Sequence, residues 1–109
     1  MIIVKITLNV LPAKQLEVRQ TLLGLIESGV KEPGCLGYSV SINIQDQNCV
    51  GLHQEWKTRE DLDRHIRSHR FGVLLGTRTL LSKPPDIRIH TVSKTQGMEA
   101  IHAVRNKPG

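Results

Sequence analysis

Rings able to hold or work on a small molecule are scarce in this chain, and they gather in one stretch. CVGLHQEWKTREDLDRHIRSHRFGVLL, residues 49–75, holds the only Trp, the only Phe and three of the five His. His65 and His69 stand four residues apart, which on a helix gives two imidazoles on one face, as a metal site needs. No HExxH pattern and no third carboxylate accompany them, so no metal is expected. The chain also lacks a Ser-His-Asp order, a phosphate-cradling glycine loop and a dinucleotide fingerprint, which argues against a tightly bound nucleotide. His53, His90 and His102 belong to no constellation. His65 has a plain alternative role, filling a helix–sheet junction and hydrogen-bonding a carbonyl. Trp56 has one too, as core.

The elements that must position these residues follow from hydrophobic periodicity. IIVKITLNV, residues 2–10, alternates with Ile2, Val4, Ile6, Leu8 and Val10 on one face. Pro12 suits a first helical turn, and a helix is expected to about Lys31, with Leu16, Leu22, Leu23, Ile26 and Val30 facing inward. Pro33-Gly34 ends it. CLGYSVSINI, residues 35–44, is a second strand, with Leu36, Tyr38, Val40, Ile42 and Ile44 on one face. Asp46-Gln47-Asn48 reads as the hairpin turn, and residues 49–57 return with Val50, Leu52, Gln54 and Trp56 inward. Thr58 caps a helix that places Leu62, His65, Ile66 and His69 along one side and breaks near Phe71-Gly72. A shorter helix carries Val73 to Leu80, Pro84-Pro85 stops it, and residues 86–93 form the last strand.

That order is β-α-β-β-α-β, an α+β ferredoxin-like topology with an antiparallel sheet. Residues 1–96 form one domain, and residues 97–109 form a tail with the pattern of a short helix. Because neither face of the first strand is fully polar, the side of the sheet away from the helices is expected to pack on a second copy, giving a homodimer.

Composition narrows the partners. Only 3% of residues are aromatic, so the core is aliphatic. The net charge of +5 is dispersed among acidic residues without interleaved stacking rings, which disfavours nucleic acid. No apolar run is long enough for a bilayer and no early segment has signal-peptide order, so a cytoplasmic chain with no membrane partner is expected. Cys35 and Cys49 would not face each other and fit free thiols.

PGCLGYSV, the strand-ending EW, and Leu62, His65, Ser68 and Phe71 in LDRHIRSHRF form an ordered set with Pro12 and PPDIRIHTV. Over residues 1–93 this set resembles the antibiotic biosynthesis monooxygenase family of dimeric α+β barrels. The resemblance implies a pocket between sheet and helices. Its heme-degrading branch uses Asn, Trp and His at positions occupied here by Thr7, His65 and Leu75, so heme breakdown is disfavoured. Its quinol-oxidising branch commonly has His where His65 stands. That implies cofactor-free oxidation by O2 of a small aromatic, a hydroquinone or an anthrone-like ring. In that scheme His65 is the base, Asn9 or Ser39 donates to the oxyanion, and Trp56, Phe71 and Tyr38 wall the substrate. The alternative is a dimeric barrel that binds a small hydrophobic molecule without turnover, which the low aromatic content favours. An isomerase or decarboxylase using the same His is a third reading, carried by fold analogy alone.

Overall fold

The alternating strands pair as an antiparallel sheet because each has one aliphatic face that only a common core can hide. The computed structural model describes residues 1–108. Strands β1 (Ile2–Asn9), β2 (Cys35–Asn43), β3 (Asp46–Trp56) and β4 (Asp86–Thr91) form one sheet in the order β2-β3-β1-β4. Helices α1 (Gln15–Gly29), α2 (Arg59–Ile66) and α3 (His69–Gly76) carry the connections, and α4 (Met98–Arg105) follows the sheet. The fold is α+β and ferredoxin-like, as the element order predicts. No helix among the described residues is long and apolar enough to cross a membrane.

The inner face is built from Val4, Ile6 and Leu8 of β1 and Val50, Leu52, Gln54 and Trp56 of β3, all buried. Pairing of Ile2 with Trp56 and of Leu8 with Val50 fixes which side chains share that face. Against it lie Val18, Leu22 and Leu25 of α1, Leu62 and His65 of α2, and Phe71 and Leu74 of α3. The opposite face is mostly polar. Lys5 pairs with His53 and Arg88, and Ile3 with Glu55 and His90. Across β1, β3 and β4 Ile3 is its one large aliphatic, so the apolar argument for covering it is thinner than the first strand's pattern implies.

Four local expectations are corrected. On α1 the buried stripe is Val18, Leu22, Leu25 and Gly29, while Leu16, Leu23 and Val30 are exposed. Helical spacing admits both stripes, and Tyr38 chooses by packing against Gly29, where a Cβ would sit 2.8 Å from its ring. In β2 a bulge between Cys35 and Gly37 turns Cys35 inward and Leu36 out. The hairpin turns at Ile44-Gln45, because Asn43 Oδ1 accepts from the Gln45 amide, and Asp46 already belongs to β3. The helix break falls at Arg67-Ser68, since Ser68 Oγ accepts from Phe71 N and starts a new helix. Phe71 and Gly72 therefore lie inside α3. Cys35 and Cys49 are both free thiols.

The tail helix stands off the body. Met98, Ile101 and Val104 share one side of α4 and are 64%, 54% and 73% exposed. The radius of gyration is 16.4 Å, against roughly 13 Å for a compact chain of this length.

The turn from α1 into β2 depends on Gly34, whose φ is +81°. A Cβ there would run into Cγ and Oδ2 of Asp61, while the Gly34 carbonyl accepts from Lys57 N at 2.8 Å. Gly34→Ala is therefore expected to cost about 1–3 kcal/mol. Urea unfolding would read this as a lower midpoint at unchanged slope; an unchanged midpoint would refute the strain.

Candidate functional site

Trp56 ends β3 and His65 sits two turns into α2, so the sheet and the helix bring indole and imidazole together. Their centroids are 4.6 Å apart at a 31° tilt. Tyr38 from β2 and Phe71 from α3 meet the same imidazole edge-on, at 6.0 and 5.5 Å. Every aromatic ring in the chain thus touches His65, which is only 3% exposed.

Hydrogen bonds give this cluster a direction. Trp56 Nε1 has only a proton to give, and it donates to Gln54 Oε1 at 3.0 Å. That fixes the amide orientation, so Gln54 Nε2 is a donor facing His65 Nε2 in a long 3.5 Å contact. An imidazole that accepts at Nε2 carries its proton on Nδ1, and Nδ1 lies 2.8 Å from Glu32 Oε2. The chain runs from a buried indole through a fully buried amide and a neutral imidazole to a carboxylate near the surface. Burial pushes the His65 pKa below its ordinary 6.5; Glu32 opposes this, and Arg70 adds to it. Burial likewise pushes the Tyr38 phenol up.

Glu32 is where the cluster meets solvent. With Gly24, Glu27, Ser28, Lys31, Pro33 and Arg70 it lines a groove of about 510 Å³ between the end of α1 and the start of α3. Oε2 is committed to His65, which leaves Oε1 for the groove. Arg70 and Lys31 place two cations beside it, and Gly24 leaves room, since a Cβ there would meet nothing within 4 Å.

The expected site residues divide into two groups. His65, Trp56, Phe71 and Tyr38 are together. Asn9 and Ser39 are not, because Asn9 pairs with Cys49 and Ser39 with His53, which places both on the outer face of the sheet. The period of two sends alternate residues to opposite faces, so neither side chain can reach the oxyanion of a substrate held at His65. His69 is exposed, and among the described residues no three His, Cys, Asp or Glu converge as metal ligands. Glu32 and Gln54 went unrecognised. Gln54 left one usable signal, a polar residue inside an apolar strand face. Glu32 left none, lying 33 positions from His65 in a loop.

A model of the antibiotic biosynthesis monooxygenase family matches residues 1–74. The uncharacterized protein sll1783 of Synechocystis is 30% identical over 96 residues, or 87% of this chain, which spans 65% of that relative's length. A conserved protein from Methanosarcina mazei superposes with a TM-score of 0.78 at 32% identity, over 82% of this chain and 89% of that one. A Deinococcus radiodurans protein named for the same family gives 0.82 at 18% identity, covering 89% and 97%. At that identity the likeness speaks to fold alone.

The lowered His65 pKa predicts a specific acid sensitivity. The folded imidazole is the weaker base, so the unfolded chain takes up the extra proton. Its contribution to stability is complete above the unfolded value near 6.5 and is lost as pH falls toward the folded one. The loss runs at no more than about 1.4 kcal/mol per pH unit. Denaturation at stepped pH should show this slope in the native chain and lose it in His65→Gln. Parallel curves for the two proteins would refute it.

Proposed function

The chain belongs to the antibiotic biosynthesis monooxygenase family, and on that premise we propose that it oxidises a small aromatic with O2, using its own side chains and no cofactor. The substrate class is a hydroquinone or an anthrone-like ring. One observation carries the reading: the Glu32 carboxylate is both a wall of an open groove and the partner of a buried neutral imidazole. A substrate hydroxyl or activated C–H in the groove gives its proton to the Glu32–His65 pair, entering at the free Oε1 of Glu32. The pair takes up this proton as one unit. Lys31 and Arg70 stabilise the anion left behind.

That anion passes one electron to O2, the resulting radical pair joins through a new C–O bond, and the peroxide anion so formed takes back the proton held by the Glu32–His65 pair. Loss of water from the hydroperoxide leaves a carbonyl. One oxygen atom ends in the product and the other in water, so an anthrone gives a quinone and a hydroquinone gives a hydroxyquinone.

A second copy covering the outer sheet face is part of the proposal. Its support is Ile3 together with Lys5 and Arg88 set among Glu55 and Asp86, charges that a two-fold pairing can match. A sedimentation mass of one chain would refute the homodimer.

The non-catalytic reading, a barrel that holds a small hydrophobic molecule, is favoured by a different observation. Both His65 nitrogens already have partners and the ring is enclosed. Oxygen uptake by metal-stripped protein over a panel of hydroquinones and anthrones separates the two. Monooxygenation predicts uptake above the uncatalysed rate that falls roughly a hundredfold in Glu32→Gln. Gly24→Phe, which projects a ring into the groove from a position with room for it, should raise KM while the fold stays intact. Saturable binding of the panel with no uptake selects the second reading.

A further inference from the structure

The outer face of the sheet carries a set of charges that the proposed chemistry does not use. Pleat and register place Lys5 of β1, His53 and Glu55 of β3, and Asp86, Arg88 and His90 of β4 on that face. β2 brings it Gly37, Ser39 and Ser41, none of them charged. Lys5 is opposite His53 on one side and Arg88 on the other, so the three stand in one row, about 5 Å from strand to strand. In the next row Glu55 and His90 flank Ile3.

The charge balance of this face depends on its two imidazoles. Glu55 lies 3.3 Å from His53, and Asp86 lies 3.4 Å from Arg88. Lys5 enters no ion pair among the described residues. His90 shares its strand face with Arg88 and lies two strands away from Glu55. With both imidazoles neutral, Lys5 and Arg88 match Glu55 and Asp86 within the strands. Lys57, the next residue of this parity, lies just past the end of β3 and adds a further cation. With both imidazoles protonated, His53, Lys5 and Arg88 become a row of like charges directly opposite one another, a destabilising arrangement across strands. An open face tolerates that row because water and salt screen it. A second copy laid over it doubles the row and removes the water.

We propose that acid releases the second copy: the contact between outer sheet faces forms while His53 and His90 are neutral and comes apart when they take up protons. It rests on the homodimer reading, in which the outer faces meet. The lone chain protonates these imidazoles in water, whereas the pair must do so against Lys5, Arg88 and their counterparts. Lowering the pH therefore favours the lone chain. Imidazole is the side chain whose charge changes between about pH 5 and 8, which sets the window.

Sedimentation equilibrium of the full chain, at constant ionic strength and stepped pH from about 8 to about 5.5, tests this. A two-chain mass is expected at the top of the range and a one-chain mass at the bottom. The dissociation constant should rise roughly tenfold or more per pH unit. The double variant His53→Gln, His90→Gln should keep the two-chain mass throughout, and His65→Gln should dissociate as the native chain does. Added salt should move release to lower pH. Trp56 fluorescence should hold steady across the range; a change in step with the mass would assign the response to unfolding and overturn the proposal. A one-chain mass at every pH would overturn the homodimer and the release with it. A two-chain mass at every pH, or unaltered release in the double variant, would overturn the release and leave the homodimer standing.

Discussion

A carboxamide set into an aliphatic sheet face is the constraint to which the rest of this structure answers. Gln54 is fully buried between Leu52 and Trp56 on the inner face of β3. Such a group is tolerated only if both its ends find partners, at a cost of about 1–3 kcal/mol otherwise. The indole N–H satisfies the oxygen. The nitrogen meets His65 Nε2 in a 3.5 Å contact, and the Tyr38 hydroxyl is a further partner of the same amide. With His65 accepting at Nε2, its proton sits on Nδ1 and needs an acceptor of its own. Glu32 is that acceptor, which places the loop after α1.

The loop can reach that place only because of Gly34. With Glu32 held against His65, the backbone must turn at once to enter β2, and the left-handed φ at Gly34 makes the turn while its missing Cβ leaves room for Asp61. Asp61 in turn is held by Thr58 Oγ1 at 2.8 Å and by Arg64 at 3.1 Å, in the first turn of α2. The same helix presents His65. The two ends of the relay are thus fixed by one short stretch of α2, which explains why a carboxylate from a loop lies at a hydrogen-bond distance from a core imidazole.

Most of the fold was legible in the sequence, because a period of two along β1 and β3 leaves no other face to bury. What could not be read were choices between local patterns of equal quality. Leu16, Leu23 and Val30 are as regular on a helix as Val18, Leu22 and Leu25. The first set is outside because Tyr38 fills the space over Gly29, a contact between residues that no periodicity links. The strict alternation of β2 hid its bulge for the same reason: Leu36 fits the pattern, and it is Cys35 that fits beside Trp56. The site was half legible. Ring scarcity singled out His65, Trp56, Phe71 and Tyr38, which do meet, while Asn9 and Ser39 were placed with them by chemistry that the pleat forbids.

Ring scarcity has a second consequence. With all three aromatics spent on enclosing one imidazole, no ring remains to stack on a ligand in the groove. Recognition there must come from shape and charge. The groove offers two cations and two carboxylates along an open wall, which fits the proposed substrate, a polar ring that changes charge during reaction.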